Sequence, residues 1–199
     1  MNHPRALALV WLAVVTVGGC STSGPYLRVP GQDPPAPSEL VMGGNQNGQS
    51  MTVGDIMLCI SARGSVTVTD VAFSGAYGDV SIEAFAVRPN PATQHANLIG
   101  STSTPLADIG DGFVVGGPQV IDAVCPTPEQ FATSTSDYEL AIQISRSSGS
   151  LGGGSGLIIT YDSSGQRRSY TVPYAFWLCS GTQPANGEPS NFASPPPCS

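Results

Sequence analysis

Alternation of apolar and polar residues with a period of two most constrains the fold of this 199-residue chain. The clearest case is 138–145, in which apolar residues alternate with polar or small ones: Tyr138, Leu140, Ile142 and Ile144 against Glu139, Ala141, Gln143 and Ser145. A period of two is typical of a strand that buries one face and exposes the other. The pattern predicts a β-rich chain in which this strand buries one sheet face.

Six further segments have the composition of strands, which brings the count to about seven. They are residues 55–60, 66–73, 80–87, 119–124, 157–161 and 169–178. The apolar parity slips by one residue near Asp70, which predicts a β-bulge there. Pro173 lacks an N–H and therefore predicts that the last strand lies at an edge or carries a bulge. About seven short strands with antiparallel patterning favour an all-β fold, an immunoglobulin-like β-sandwich over residues 40–182.

Three connecting segments carry local signals. Residues 162–166, with the sequence DSSGQ, predict a hairpin turn between the last two strands. Residues 149–156, with the sequence GSLGGGSG, predict a flexible hairpin loop. The spacing of Thr127, Pro128 and Gln130 predicts a helix of one or two turns, because it combines a capping box with proline at the first helical position.

The N-terminus has the three parts of an export signal. A short start with Arg5 precedes an uninterrupted apolar run over residues 6–17, and Gly18 and Gly19 follow. Val17, Gly18, Gly19 and Cys20 resemble the lipobox of bacterial lipoproteins. This resemblance implies that residues 1–19 are a signal peptide, and that Cys20 becomes the new N-terminus and carries the lipid. Lipid on Cys20 and on the new amine would hold the protein to a membrane, since two or more acyl chains anchor stably.

Proline-rich segments flank the predicted domain on both sides. Residues 20–39 contain five prolines and no periodic apolar pattern, which predicts a disordered tether after the lipidated cysteine. Residues 183–199 are also rich in proline but include Cys198 next to the C-terminus. We expect this tail to be stapled to the domain through Cys198.

Five cysteines are an odd number for an exported chain, and assigning Cys20 to the lipid leaves four. Cys59 and Cys179 both follow strand-like apolar residues, which favours a Cys59–Cys179 bridge with Cys125–Cys198 as the second. The competing arrangement, Cys59–Cys125 with Cys179–Cys198, is nearly as consistent with the sequence.

The charge balance bears on partners. The chain has a formal net charge of −7 and contains no lysine. An acidic surface has no electrostatic footprint for nucleic acid and is repelled by anionic headgroups. We therefore expect no nucleic-acid partner, and membrane contact through the lipid alone. The chain has arginine but no lysine and is rich in alanine, glycine and proline, and in this it resembles small actinobacterial lipoproteins. This resemblance implies a location and little else.

Residues suited to catalysis or metal binding are sparse. Once the signal is removed His95 is the one histidine, in a proline-containing loop, so no catalytic residue is assigned and no enzyme is expected. Asp108 and Asp111 flank a glycine in a turn and are weak candidates for calcium, although an Asx-type turn explains them equally well. Copper is a further candidate cation, with soft or borderline ligands at Met42, Met51, Met57 and His95. No cofactor is expected.

These observations predict a lipid-anchored protein on the extracytoplasmic face of the cell membrane. The leading interpretation is a binding or interaction module of the cell envelope, with an envelope protein or glycan as partner, because sandwich loops and edges suit such contacts. Two alternatives from other classes are a cation-binding lipoprotein, for calcium or copper, and a small envelope hydrolase that would need a pocket around His95.

Overall fold

The computed structural model describes residues 24–31, 35–90, 100–127, 129–130, 137–181 and 198. Within these residues the chain forms eleven strands and one short helix. In chain order they are β1 Leu27–Arg28, β2 Ser38–Met42, β3 Ser50–Ile60, β4 Val66–Tyr77, β5 Val80–Pro89, β6 Ser101–Thr102, α1 Leu106–Ile109, β7 Gln119–Ile121, β8 Tyr138–Arg146, β9 Leu151–Ser163, β10 Gln166–Val172 and β11 Tyr174–Cys179.

The strands form two sheets that share one core. The first sheet has the order β1-β3-β8-β5, with β6 also on β3, and the second has the order β2-β11-β9-β4-β7, with β10 also on β9. All strand pairs are antiparallel except β2 with β11. Apolar side chains from both sheets form the core, among them Leu58, Leu140 and Ile142 from the first and Val66, Ile159 and Phe176 from the second. The predicted all-β sandwich is confirmed, with more strands than the seven expected.

Register shifts in β4 and β5 decide which side chains of these two strands enter the core. The predicted bulge in β4 is confirmed, since the register with β9 shifts between Val68 and Asp70. A second shift, between Ile82 and Ala84 in β5, was not predicted. Beyond it the parity reverses, so that Phe85 joins Val80 and Ile82 on the core side, whereas Ala84 lies on the other face.

The outer face of the first sheet is covered, so Glu139, Ala141 and Ser145 of β8 are buried although they alternate with its core residues. A covering segment, residues 100–118, lies across this face. Leu106 and Phe113 of the segment pack on Ala86 and Ala141, whose small side chains leave room for them. Polar side chains of the sheet bind the backbone of the covering segment. The Thr52 hydroxyl donates to the Thr104 carbonyl, and the Gln143 side-chain oxygen accepts from the Leu106 N–H.

The glycine-rich segment 149–156 is mostly strand, and the prediction of a flexible loop is wrong. Gly152, Gly153 and Gly154 lie buried in β9, paired with β11 on one side, while Gly153 and Gly154 also pair with β4. A Cβ atom on Gly153 would lie 1.9 Å from the Phe176 carbonyl oxygen and 2.7 Å from the Trp177 ring. Glycine is needed here because neighbouring backbone and rings approach too closely for a side chain.

Gly153→Ala is expected to reduce the free energy of unfolding by about 2–3 kcal/mol, the cost of overpacking a closely packed interior. Urea unfolding monitored by circular dichroism measures the change. Gly100→Ala is the matched control, because nothing lies within 4 Å of a Cβ at that position. Equal stability of the two variants would contradict the close approach described for β9.

The hairpin turn and the Pro173 irregularity are confirmed. Ser164 and Gly165 connect β9 to β10 with φ values of 50° and 75°, the positive values that a two-residue type I′ turn requires. Across Pro173 the pairing with β9 shifts by one residue, from Val172 opposite Leu157 to Phe176 opposite Gly154. A proline at this shift removes no donor from a regular ladder.

Much of the segment expected to be a disordered tether belongs to the domain. Leu27 is 1% exposed in the shared core, and β1 pairs with the end of β3. The Ser163 hydroxyl donates to the Pro25 carbonyl, and β2 begins at Ser38. The prediction of disorder is therefore wrong for residues 24–31 and 35–39, because one buried leucine and strand pairing outweigh a proline-rich composition.

All four remaining cysteines are bonded, but in the competing arrangement. Cys59 bonds to Cys125, with their Cα atoms 4.9 Å apart, and Cys179 bonds to Cys198, so the favoured pairing is wrong. The reason is topological: Cys59 lies one residue before the end of β3 in the first sheet, and Cys179 ends β11 in the second. The Cys125 N–H donates to the Ile60 carbonyl, which holds Cys125 beside Cys59.

The helix of the described residues, Leu106–Ile109, is one turn long and was not predicted. Where a helix was expected, Glu129 and Gln130 form a turn, and Pro128 lies outside the described residues. The Gln130 N–H donates to the Thr127 carbonyl and closes this turn, and residues 131–136 lie outside the described residues. No helix in the described part of the chain is long and apolar enough to cross a membrane.

Candidate functional site

A strained bulge in β3 is the centre of the candidate site. Val53 lies opposite Ile142 of β8 and Ile56 lies opposite Leu140, which leaves one extra residue in β3. Val53 and Ile56 both enter the core, at 0% and 3% exposure. The bulge allows both side chains to enter the core because Asp55 adopts a φ of 64°. This value lies in the left-handed region, which costs a non-glycine residue conformational energy.

A buried ion pair supports the bulge from behind. One Glu139 oxygen, Oε1, accepts the Asp55 backbone N–H at 3.1 Å, so the displaced donor keeps a partner. The other, Oε2, accepts Arg88 Nε at 2.8 Å and Nη2 at 2.6 Å. The Arg88 and Glu139 side chains are 1% and 0% exposed. Arg88 also donates to the Asp111 carbonyl and lies 4.5 Å from the Phe113 ring centroid, so the covering segment closes over the pair.

A cavity of about 270 Å³ opens beside Asp55, between the two sheets. Its walls are mainly apolar, with contributions from Val29, Pro30, Pro35, Ile56, Met57 and Val172. Asp55 and Tyr174 supply its ionisable groups, and Ser38 supplies a hydroxyl. Such a combination, apolar walls with few polar groups, is typical of small-molecule sites.

The two ionisable groups of the cavity, Asp55 and Tyr174, both have raised pKa values. Asp55 is exposed at the cavity, but partial burial of its carboxyl raises its pKa, and the negative charge of Glu139 raises it further. Burial, and then the charge of Asp55, raise the pKa of the Tyr174 phenol. Among the described residues, no donor bonds to the Asp55 carboxylate and no cation lies within ion-pair distance of it. Arg88 is already committed to Glu139.

This arrangement suits binding. Glycine would occupy the bulge without strain, whereas aspartate adds a carboxylate whose charge is disfavoured by burial and by Glu139. A strained backbone position at a cavity, together with an ionisable group of raised pKa, is a physical indication of a functional site.

Asp108 and Asp111, the candidates for calcium, are not joined by further ligands into a cation site in the described part of the chain. Asp108 lies exposed in α1, and Asp111 follows it at a φ of 48°. Asp111 Oδ2 lies 3.9 Å from the Arg88 guanidinium, and this positive charge disfavours a metal cation beside Asp111. No group of three or more His, Cys, Asp or Glu side chains suited to a metal occurs in the described parts of the chain.

The other predicted site residues are separated or undescribed. Met42 and Met51 line one open groove of about 700 Å³, whereas Met57 lines the Asp55 cavity. His95, the fourth candidate copper ligand and the proposed centre of a hydrolase pocket, lies outside the described residues, as does Cys20. The structure therefore does not bring the three methionines to one site.

Sequence reasoning missed Asp55, Arg88 and Glu139. The sequence signal for Arg88 and Glu139 was the presence of charged residues in segments otherwise suited to burial, which indicates a buried ion pair. Gly54 and Asp55 near the predicted start of β3 are also a bulge signature. A second missed group is Arg146, 0% exposed, whose guanidinium donates to the carbonyls of Asn45 and Gly149 and so ties two loops together.

Comparisons with known proteins add little. The sequence matches no protein-family model, and the search of curated proteins found no match. Among solved structures, the chain is similar to the VesB protease of Vibrio cholerae, with a TM-score of 0.33 and 8% identity. The similarity covers 79% of this chain and 32% of the protease chain, so this chain spans about a third of that protein. A similarity at this level carries no argument about function.

Proposed function

We propose that this protein is a lipid-anchored binding module of the bacterial cell envelope that holds a small ligand in the Asp55 cavity. The fold proposed for it is an immunoglobulin-like sandwich, consistent with two mostly antiparallel sheets on one core. The observation that carries the proposal is the left-handed conformation of Asp55 at the mouth of an apolar cavity.

Two features support an extracytoplasmic location. The lipobox-like residues before Cys20 imply export and lipidation. Two disulfides within one small domain are more common in oxidising compartments than in the cytoplasm.

The lipid would hold the domain close to the membrane. Cys20 and Gly24, where the described structure begins, are four residues apart and can span at most about 14 Å. The proposed module would therefore lie directly on the membrane surface, closer than the tether over residues 20–39 would have placed it.

The anchor is tested on the purified mature protein. We expect mass spectrometry of the N-terminal peptide to show a diacylglyceryl group on Cys20, and the protein to partition into detergent. Cys20→Ser should remain uncleaved or become soluble. An unmodified Cys20 at the mature N-terminus would refute the anchor.

The cavity is tested separately by blocking it. Met57 is half-buried and lines the cavity, so Met57→Trp should fill the space. Small-molecule fragments that shift the NMR signals of Asp55 and Tyr174 should no longer bind this variant. Val114→Trp, at a position 64% exposed in the covering segment, is the control and should bind as the wild type does. Fragment binding unaffected by Met57→Trp would contradict the assignment of this cavity.

A further inference from the structure

We propose that the ligand of the Asp55 cavity is an organic ammonium ion, with its charge beside the Asp55 carboxylate and a short apolar body against the walls and the Tyr174 ring. This inference rests on the proposed function and names the ligand class for the same site.

The charge argument comes first. Glu139 forms an ion pair with Arg88 at 2.6 Å, whereas the Asp55 carboxylate has no cation partner among the described residues. Asp55 is exposed where it lines the cavity, and a cation beside it would compensate this charge next to apolar walls. An anion would meet both Asp55 and the acidic surface of a chain with net charge −7, and is therefore disfavoured.

The aromatic group points to the same class of ligand. The Tyr174 ring packs edge-on against Phe176, with the ring centroids 4.5 Å apart and an interplanar angle of 81°. This contact holds the ring in place at the cavity wall. An aromatic ring lining the same cavity as a carboxylate is favourable for ammonium groups, which interact with the negative face of such a ring.

The walls and the volume restrict the rest of the ligand. Val29, Pro30, Ile56 and Val172 offer no hydrogen-bonding side chains, so the body of the ligand should be apolar. A volume of about 270 Å³ lies just below the range of drug-sized pockets, which favours a small amine over a polymer segment. The ammonium group could come from a soluble amine or from an aminated lipid headgroup, and the two sources share this chemistry.

The test compares three probes of equal length on the full mature protein in detergent micelles: pentylamine, pentanol and pentanoate. NMR titration should show pentylamine binding about tenfold or more tightly than pentanol, because a charge-assisted contact is lost in the alcohol. Pentanoate should bind most weakly. Asp55→Asn should abolish the preference for the amine, because asparagine tolerates the left-handed conformation and removes only the charge.

The pH dependence provides a second readout. Pentylamine stays protonated in mild acid, so binding should weaken as pH falls and Asp55 is neutralised. Because burial and Glu139 raise the pKa of Asp55, this loss should begin at a higher pH than for an ordinary aspartate. Among the described residues, the other ionisable groups facing the site are Glu139, paired with Arg88, and the Tyr174 phenol, whose raised pKa keeps it neutral here. Asp55→Asn should remove this pH dependence.

Each outcome bears on a different claim. Equal affinity for pentylamine and pentanol, or an Asp55→Asn variant that keeps the amine preference, overturns the ammonium inference and leaves the cavity as a neutral binding site. Absence of any shift at Asp55 and Tyr174 with all three probes overturns the proposed binding function as well.

The source of the ammonium is distinguished with the protein in vesicles. If a headgroup supplies it, phosphatidylethanolamine in phosphatidylglycerol vesicles should compete with pentylamine and weaken its apparent affinity. If affinity is unchanged, the ligand is a soluble amine.

Discussion

Arg88→Ala is expected to lower the free energy of unfolding by about 3–5 kcal/mol, the cost of leaving a buried charge without its partner. Glu139, at 0% exposure, would lose two charge-assisted hydrogen bonds while still carrying its carboxylate between β3 and the covering segment. The covering segment would also lose the bond from Arg88 to the Asp111 carbonyl. Urea unfolding monitored by the fluorescence of Trp177, which is 1% exposed, measures the loss.

Two variants separate the ion pair from a general effect of removing arginine. Arg63→Ala, at an exposed position, should change stability by no more than about 0.5 kcal/mol. The double variant Arg88→Met with Glu139→Leu should lose less free energy of unfolding than Arg88→Ala and Glu139→Ala lose in sum, because no buried charge remains. A loss from Arg88→Ala as small as that of Arg63→Ala would contradict the buried pair.

Replacing both Cys59 and Cys125 by serine is expected to cost about 4 kcal/mol in the chain-entropy account of disulfides. The bridge joins residues 66 apart and ties the end of β3 to the segment after β7. The unfolded chain gains the most freedom when a long loop is released, so this bridge should matter more than Cys179–Cys198, which joins residues 19 apart.

The second bridge is the matched comparison. Replacing Cys179 and Cys198 should cost about 3 kcal/mol by the same argument. Thermal unfolding of the two double variants, without reductant, gives the order of stability. Peptide mapping of the wild type checks the connectivity, and recovery of a Cys59–Cys179 peptide would contradict the arrangement described here.

Local patterns in the sequence were sufficient for the features that depend on neighbouring residues. The period of two over 138–145 predicted β8, the parity slip near Asp70 predicted a bulge, and residues 162–166 predicted the β9–β10 turn. Cysteine parity predicted that four cysteines pair. Each of these follows from backbone geometry or chemistry that acts over a few residues or over composition.

Tertiary contacts decided the features on which the sequence misled. The glycine run became strand because Phe176 and Trp177, distant in sequence, occupy the space where side chains would be. Glu139 became buried because the covering segment lies over the sheet and Arg88 compensates its charge. Residues 24–31 became ordered because the buried Leu27 and the pairing with β3 stabilise them.

The candidate site belongs to the second group. A glycine followed by aspartate in β3 is a weak local signal, and the left-handed conformation of Asp55 arises because Val53 and Ile56 must both reach the core. The cavity requires segments before β2 and around Pro173 to meet β3 across the two sheets. By itself the sequence determined the all-β class, most of the long strands and the set of paired cysteines, because these depend on local periodicity and composition; the export signal stays a prediction. The cysteine connectivity, the buried ion pair and the Asp55 cavity were decided by the tertiary structure, because each depends on which distant segments share the same space.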